Sequence, residues 1–212
     1  MVEWADIGVV AGEDGRARCG WCTSAPDYIA YHDDEWGRPV TDDVRLYEKI
    51  CLEGFQSGLS WLTILRKREG FRRAFAGFDP EVVAGYGPAD VERLLADAGI
   101  VRHRGKIEAT IANAGATLLA RERHGSLAAV VWSFEPPRGG RPAPERLGDL
   151  PSVTAESTAL SKCLRKLGFR FVGPTTAYAA MQSLGVVNDH LGGCGARDAC
   201  EEDRRRHPPP IR

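Results

Sequence analysis

From Thr41 to Leu184 the apolar residues of this 212-residue chain recur three and four positions apart, and nowhere do they alternate regularly with polar ones as a sheet would require. The first such pattern opens on Thr41, a residue able to cap. Asp42 and Asp43 suit the positive end of a helix, and Leu46, Tyr47, Ile50 and Cys51 form its apolar stripe up to a stop at Gly54. A second starts at Ser57 or Ser60 and buries Trp61, Leu62, Ile64, Leu65, Phe71 and Phe75. A third runs from Pro88 through Val91, Leu94 and Leu95 to Gly99. A fourth, over about 105–123, turns Ile107, Ile111 and Leu118 inward. The periodicity predicts an all-α fold.

The pattern breaks at 134–151, where Pro136, Pro137, Pro142, Pro144 and Pro151 forbid a regular helix and mark a connecting loop. The short run 128–132 before it fits a strand or a helix equally. Two further helices are expected at 156–167 and 175–184. Residues 1–17 read as a flexible extension and 18–195 as a single domain of two helical lobes. Residues 196–212, ending in Arg-Arg-Arg-His-Pro-Pro-Pro-Ile-Arg, read as a mostly disordered tail. No leader-like segment and no apolar run near the roughly 20 residues of a bilayer span is present. The reading is therefore a soluble, intracellular protein with reduced thiols, acting away from membranes.

Four features carry chemistry. His190 and Cys194 lie four residues apart across Gly192 and Gly193, and Cys19 and His32 lie thirteen apart near the other end. Two thiolates and two imidazoles make a closed tetrahedral zinc set. The same spacing also fits unrelated thiols and core histidines, with Cys22 and Cys200 as rival ligands. Trp4, Trp21, Trp36 and Trp61 crowd the first third beside Tyr28 and Tyr31, as a stacking pocket or an aromatic core would. Glu53 interrupts an apolar run at a helix end, where desolvation would push its pKa up; it either serves a site or points to solvent. Finally, Gly168 and Gly173 frame a turn between two helices. Thr175 or Thr176 opens the second, and Arg165, Lys166 and Arg170 stand nearby. The turn is either an anion site or an ordinary hairpin.

These residues stand within a longer series of motifs. It comprises Arg18-Cys-Gly-Trp21, Tyr28-Ile-Ala-Tyr-His-Asp33, Glu35-Trp-Gly37, Leu52-Glu-Gly54, Gly58-Leu-Ser-Trp61, Asp97-Ala-Gly-Ile100, Arg102-His-Arg-Gly-Lys-Ile107, Phe171-Val-Gly173 and Val187-Asn-Asp-His190. In this order, from about Cys19 to Cys194, they resemble the 3-methyladenine DNA glycosylase I family of bacteria. The resemblance implies the two-lobed fold of the helix-hairpin-helix DNA glycosylases, with the hairpin at about 168–175. It implies one structural zinc ion on Cys19, His32, His190 and Cys194, joining the N- and C-terminal segments. It places the catalytic role on Glu53, with Tyr28, Tyr31, Trp61 and Trp21 against the base and Trp36 as packing support.

The hairpin residues Gly168, Arg170, Gly173 and Thr175 would meet the phosphates. The implied reaction is hydrolytic release of 3-methyladenine, with 3-methylguanine as a second candidate, from alkylated double-stranded DNA. The implied enzyme is a monomer, cytoplasmic and associated with the nucleoid. With no lysine at the recognised pocket positions, strand cleavage is not expected. Asp189, beside His190, is expected to orient that ligand rather than to assist the departing sugar.

A DNA partner sits oddly with 28 basic residues against 29 acidic ones, but the charge is uneven. Residues 66–73 carry +4, 101–106 carry +3 and 161–170 carry +4, whereas 27–53 carry −5. A segregated surface, binding DNA on one side in a salt-sensitive way, is the expectation.

Overall fold

The computed structural model describes residues 4–139 and 142–206. Ten α-helices, four short 3-10 turns and one small antiparallel ribbon make up the regular structure of the described residues. The ribbon pairs β1 (Val9–Ala11) with β2 (Ala17–Cys19), Val9 opposite Cys19, so part of the expected extension at 1–17 is built into the fold. Ile7 accepts a hydrogen bond from the Leu147 amide, which ties this end to the proline-rich loop.

Helix α1 (Pro26–Asp34) was not visible as a periodic apolar stripe. Its inward side chains are Tyr31 and His32, polar-tipped groups committed to a site. Helix α2 (Asp43–Gln56) is the buried axis of the molecule. Asp42, not Thr41, caps it, accepting from the Arg45 amide, and Leu46 through Phe55 are almost all buried except Lys49. Gly54, read as a stop, lies inside α2. A Cβ there would come 3.3 Å from the Cβ of Phe171, so the glycine lets the helix approach the later hairpin.

Ser60 caps α3 (Trp61–Ala74), as expected. The short α4 (Pro80–Val83) and α5 (Pro88–Ala96) lead into α6 (Arg104–His124), the longest helix. The ambiguous run at 128–132 is helical, α7 (Leu127–Trp132), with Ser126 as its cap.

After the loop come α8 (Ala155–Leu167) and α9 (Pro174–Ser183), joined by the expected tight turn. The tail at 196–212 is corrected in part: α10 (Arg197–Arg206) is a helix, and 207–212 lie outside the described residues. Cys200 and Arg204, one turn apart, are buried, and Arg204 donates to the Val186 carbonyl and to Glu135. A charged sequence folds here because its one inward arginine finds an acid and a carbonyl.

The main core gathers α2, α3, α6, α7, α8 and α9 around Tyr47, Phe55, Phe71 and Tyr178. A second, small core joins Cys19 and Leu147 to Leu191 and Cys194, near both chain ends. No helix among the described residues is long and apolar enough to cross a membrane.

Candidate functional site

Cys19, His32, His190 and Cys194 meet in one buried cluster, with their ligand atoms all within 4.8 Å of one another. His32 Nε2 lies 3.2 Å from His190 Nδ1, and Cys194 Sγ lies 3.5 Å from each. The edges of a tetrahedron with metal–nitrogen bonds of about 2.05 Å and metal–sulfur bonds of about 2.3 Å are about 3.3–3.8 Å, close to these three distances, and Cys19 Sγ stands slightly wider, 3.9 Å from His190 Nδ1. The outer ring atoms are engaged. His32 Nδ1 donates to Asp33 Oδ1 at 2.8 Å, and His190 Nε2 donates to the Trp36 carbonyl at 3.0 Å. With their outer nitrogens engaged, the two rings turn Nε2 of His32 and Nδ1 of His190 toward each other, the arrangement of two imidazole ligands facing one cation. Of the rival ligands, Cys22 donates to the Cys19 carbonyl and Cys200 packs on the Trp36 carbonyl.

Two groups near the cluster were misjudged or missed from sequence. Arg18 is buried and clamps Asp33, with Nε at 2.9–3.0 Å and Nη2 at 2.7 Å, so Asp33 holds its orientation against His32. Asp189 does not orient the His190 ring. Its carboxylate accepts from Tyr178 Oη at 2.5 Å and from Gln182 Nε2 at 2.9 Å. Those two side chains line the neighbouring pocket, so Asp189 stands behind the pocket wall.

That pocket, a cavity of about 530 Å³, is walled by Trp21, Tyr28, Tyr31 and Trp61, with Glu53 among its lining groups. Tyr28 and Tyr31 project from one face of α1, three residues apart, with His32 next in sequence. Trp21 follows Cys19 by two residues, and its ring meets Tyr28 edge-on at 4.9 Å and His32 at 5.3 Å. The metal-type cluster therefore positions one wall of the pocket. Trp36 packs edge-on to Trp21 and to His190, and it also lines the pocket, so its place is not only the packing support expected from sequence. Tyr31 and Trp61 rings lie 5.4 Å apart, and Trp61 Nε1 is buried without a hydrogen-bond partner among the described residues.

Glu53, 6% exposed, sits in the last turn of α2 where the helix dipole opposes a negative charge. Its counter-charge is Lys49, one turn earlier, with Nζ 3.1 Å from Glu53 Oε1. The same Nζ donates to Tyr31 Oη at 2.6 Å and lies 3.4 Å from the centre of the Trp61 ring. Burial pushes the Lys49 amine down to about 8, against the pull of Glu53. Burial also lifts the Tyr28 phenol to about 12 and Tyr31 well above the usual range, so both stay protonated hydroxyls. No lysine is among the pocket's lining residues, but Lys49 lies against three of them. Lys49 is four residues from Glu53, a helical neighbour, but its other partners come from α1 and α3.

The hairpin turn is built as expected and gripped from behind. Gly168 takes φ 105° to end α8, and Gly173 stands at the N-cap of α9. Asn113 of α6 donates to the Arg170 carbonyl at 3.2 Å and accepts from the Arg170 amide at 2.7 Å, a clamp absent from the sequence reading. Arg170, Phe171 and Thr175 are exposed at the turn, and Thr175 also reaches the rim of the aromatic pocket.

The three basic runs divide. In 66–73, Arg66, Arg68 and Arg72 are paired with Asp27, Glu35 and Glu48, and Lys67 donates to the Ala98 carbonyl. In 101–106, Arg104 pairs with Glu92, and Lys106 is buried against the Phe55 and Ser57 carbonyls. Exposed Arg73 and Arg102 keep a free charge in those runs, but Lys162, Arg165, Lys166 and Arg170 all lack an acidic partner among the described residues, so the hairpin run alone keeps its whole charge. The Arg165 guanidinium lies about 4.0 Å from where a Gly173 Cβ would stand.

Comparison with known proteins agrees with this arrangement. The profile of the methyladenine glycosylase family matches residues 21–198. The chain is 52% identical to DNA-3-methyladenine glycosylase 1 of Escherichia coli over 177 residues, 84% of this chain and 95% of that protein. It is 46% identical to DNA-3-methyladenine glycosylase of Haemophilus influenzae, over 84% of this chain and 96% of that one. A crystal structure of 3-methyladenine DNA glycosylase I superposes with a TM-score of 0.79 at 52% identity, covering 85% of this chain and 99% of that chain. A structure of the Staphylococcus aureus enzyme, described for its recognition of 3-methyladenine, superposes with a TM-score of 0.79 at 37% identity, covering 85% and 96%.

Proposed function

Because the chain belongs to the methyladenine glycosylase family, we propose that it is a base-excision DNA glycosylase releasing 3-methyladenine from alkylated double-stranded DNA. The observation that carries this reading is the aromatic pocket with one buried carboxylate. Trp21, Tyr28, Tyr31 and Trp61 wall it, and Glu53 sits among them. Alkylation at N3 leaves the base positively charged while it is still attached to the sugar. Ring faces attract such a cation, and Glu53 balances its charge and accepts from its edge. Normal adenine brings neither the charge nor the methyl group.

Entry requires the nucleotide to leave the stack, at a cost of a few kcal/mol that is smallest for a damaged base. The hairpin supports that step. Its free Lys162, Arg165, Lys166 and Arg170, with the start of α9 at half-buried Gly173 and exposed Thr175, suit the phosphates on either side of a flipped nucleotide. Breakage of the N-glycosidic bond leaves the electron pair on the base, which becomes neutral. Water then supplies hydroxide to the sugar carbon and gives up a proton. A cationic leaving group needs no amine nucleophile, and Lys49 is engaged by Glu53 and Tyr31, so the reading remains hydrolysis without strand cleavage.

Cys19, His32, His190 and Cys194 fit a zinc ion in donor chemistry and spacing. Four protein ligands leave no position for a reacting water, so its contribution is structural: it fixes Trp21 and Tyr31 through their neighbours Cys19 and His32. The enzyme is read as a cytoplasmic monomer associated with the nucleoid through DNA.

The test is chromatography of bases released from methylated duplex DNA, with borohydride trapping in parallel. A free 3-methyladenine peak with no covalently trapped protein supports the reading, and the same trace scores 3-methylguanine. Absence of any released base overturns it.

A further inference from the structure

Lys49 stands outside the lining of the aromatic pocket but is bound to groups that a cationic base would need. Its side chain is 12% exposed, and its Nζ contacts Glu53, the Tyr31 hydroxyl and the face of Trp61, three of the groups assigned to the base. The other charges facing it are already spent. On α2, Glu48 is held by Arg72 at 2.8 Å. At the end of α1, Glu35 is held by the Arg68 of α3. Arg45, also on α2, is more than half exposed, and the nearby residues of the α9 end, Ser183 and Leu184, carry no charge. Glu53 is therefore the ammonium's own partner, and one carboxylate cannot balance two cations in a buried site.

We propose that Lys49 is a specificity-determining counter-charge of the pocket. Its ammonium holds the Glu53–Trp61 cation site until a charged base displaces it, and reclaims the site once bond breakage has made the base neutral. This rests on the functional reading above. A neutral base cannot take Glu53 from an ammonium, which adds discrimination against undamaged adenine. The same competition ejects the neutral product. Displacement needs either a swing of the side chain or loss of its proton, and burial already brings that proton's pKa to about 8.

The sign follows. Below pH 8 the ammonium competes with neutral 3-methyladenine, and above it the amine does not. With a pKa of about 8, the competition-free fraction at pH 7 is roughly one in ten, so affinity for the free base should rise about tenfold between pH 7 and pH 9.

The experiment titrates free 3-methyladenine into the metal-loaded wild type, Lys49→Met and Lys49→Arg from pH 6.5 to 9, reading tryptophan fluorescence. The wild type should gain affinity across that range. Lys49→Met should bind tightly with a flat profile, and it reports any titration of the base itself. Lys49→Arg, which keeps its charge, should bind weakly and flatly, and carries the test if Lys49→Met does not fold. A wild type whose affinity follows the profile of either variant overturns the proposal. Wild-type release of 3-methyladenine from methylated DNA, measured alongside, separates the failures. Base release with coincident binding profiles sinks Lys49 alone, and no base release sinks the functional reading beneath it.

Discussion

Glu53 is placed where a carboxylate is least comfortable, in the last turn of a helix and inside a wall of rings, and that discomfort is what makes it useful to a cation. Replacing it with Gln keeps the shape and removes the charge. Single-turnover release of 3-methyladenine by Glu53→Gln should fall about 10²-fold, with its melting curve intact; a change within about twofold would remove Glu53 from the mechanism. Its visibility in sequence came from the apolar residues around it. Lys49 was invisible for the opposite reason: on the helix surface it reads as an ordinary solvated lysine, and only the arrival of Tyr31 and Trp61 from two other helices turns it inward. Asp189 was legible as important but not in its connection, because adjacency to His190 in sequence says nothing of where the carboxylate turns. With Tyr178 and Gln182 as its donors, Asp189→Asn should keep full zinc content and lose about 1–3 kcal/mol in denaturant titrations. Loss of metal from a folded Asp189→Asn protein would return Asp189 to the ligand shell.

Among the elements, those whose apolar residues repeat at helical spacing were read correctly to within a few residues, α6 and α8 most closely. Helices that spend their inward positions on other chemistry were not seen: α1 turns Tyr31 and His32 inward, and α10 turns Cys200 and Arg204. The hairpin was legible because positive-φ glycine and a Pro at the next helix start are local signals. The basic runs were legible as charge but not as surface. Runs 66–73 and 161–170 carry the same net +4, yet the first spends most of it on Asp27, Glu35 and Glu48. This separates two double variants. Arg165→Ala/Lys166→Ala should weaken binding to duplex DNA and lower the slope of log affinity against log salt by about 2. Arg66→Ala/Arg68→Ala should leave that slope unchanged. Equal slopes in both variants would mean that the hairpin does not carry the phosphate contacts.

At the scale of the whole molecule, the Cys/His cluster closes the chain on itself, since His32 and His190 are 158 positions apart. The second core, around Cys19, Leu147, Leu191 and Cys194, is too small to hold the two ends by apolar burial alone. A bound ion would therefore act as a cross-link over a long loop, a constraint of about 4–5 kcal/mol by the loop-closure argument for disulfides. A domain of this size shifts by roughly 2–4 °C per kcal/mol, so chelation should lower the melting temperature by on the order of 10 °C. Because Trp21 and Tyr31 lie beside ligands in the chain, the same treatment should weaken 3-methyladenine binding and change tryptophan emission, and added zinc should restore both. Cobalt should substitute with the spectrum of a closed tetrahedral site, without a bound water. A chelated protein that melts at the same temperature and binds the base equally well would mean that the four side chains pack without serving as a clasp. The base pocket would then owe its shape to the Arg18–Asp33–His32 hydrogen bonds and the stacked rings alone.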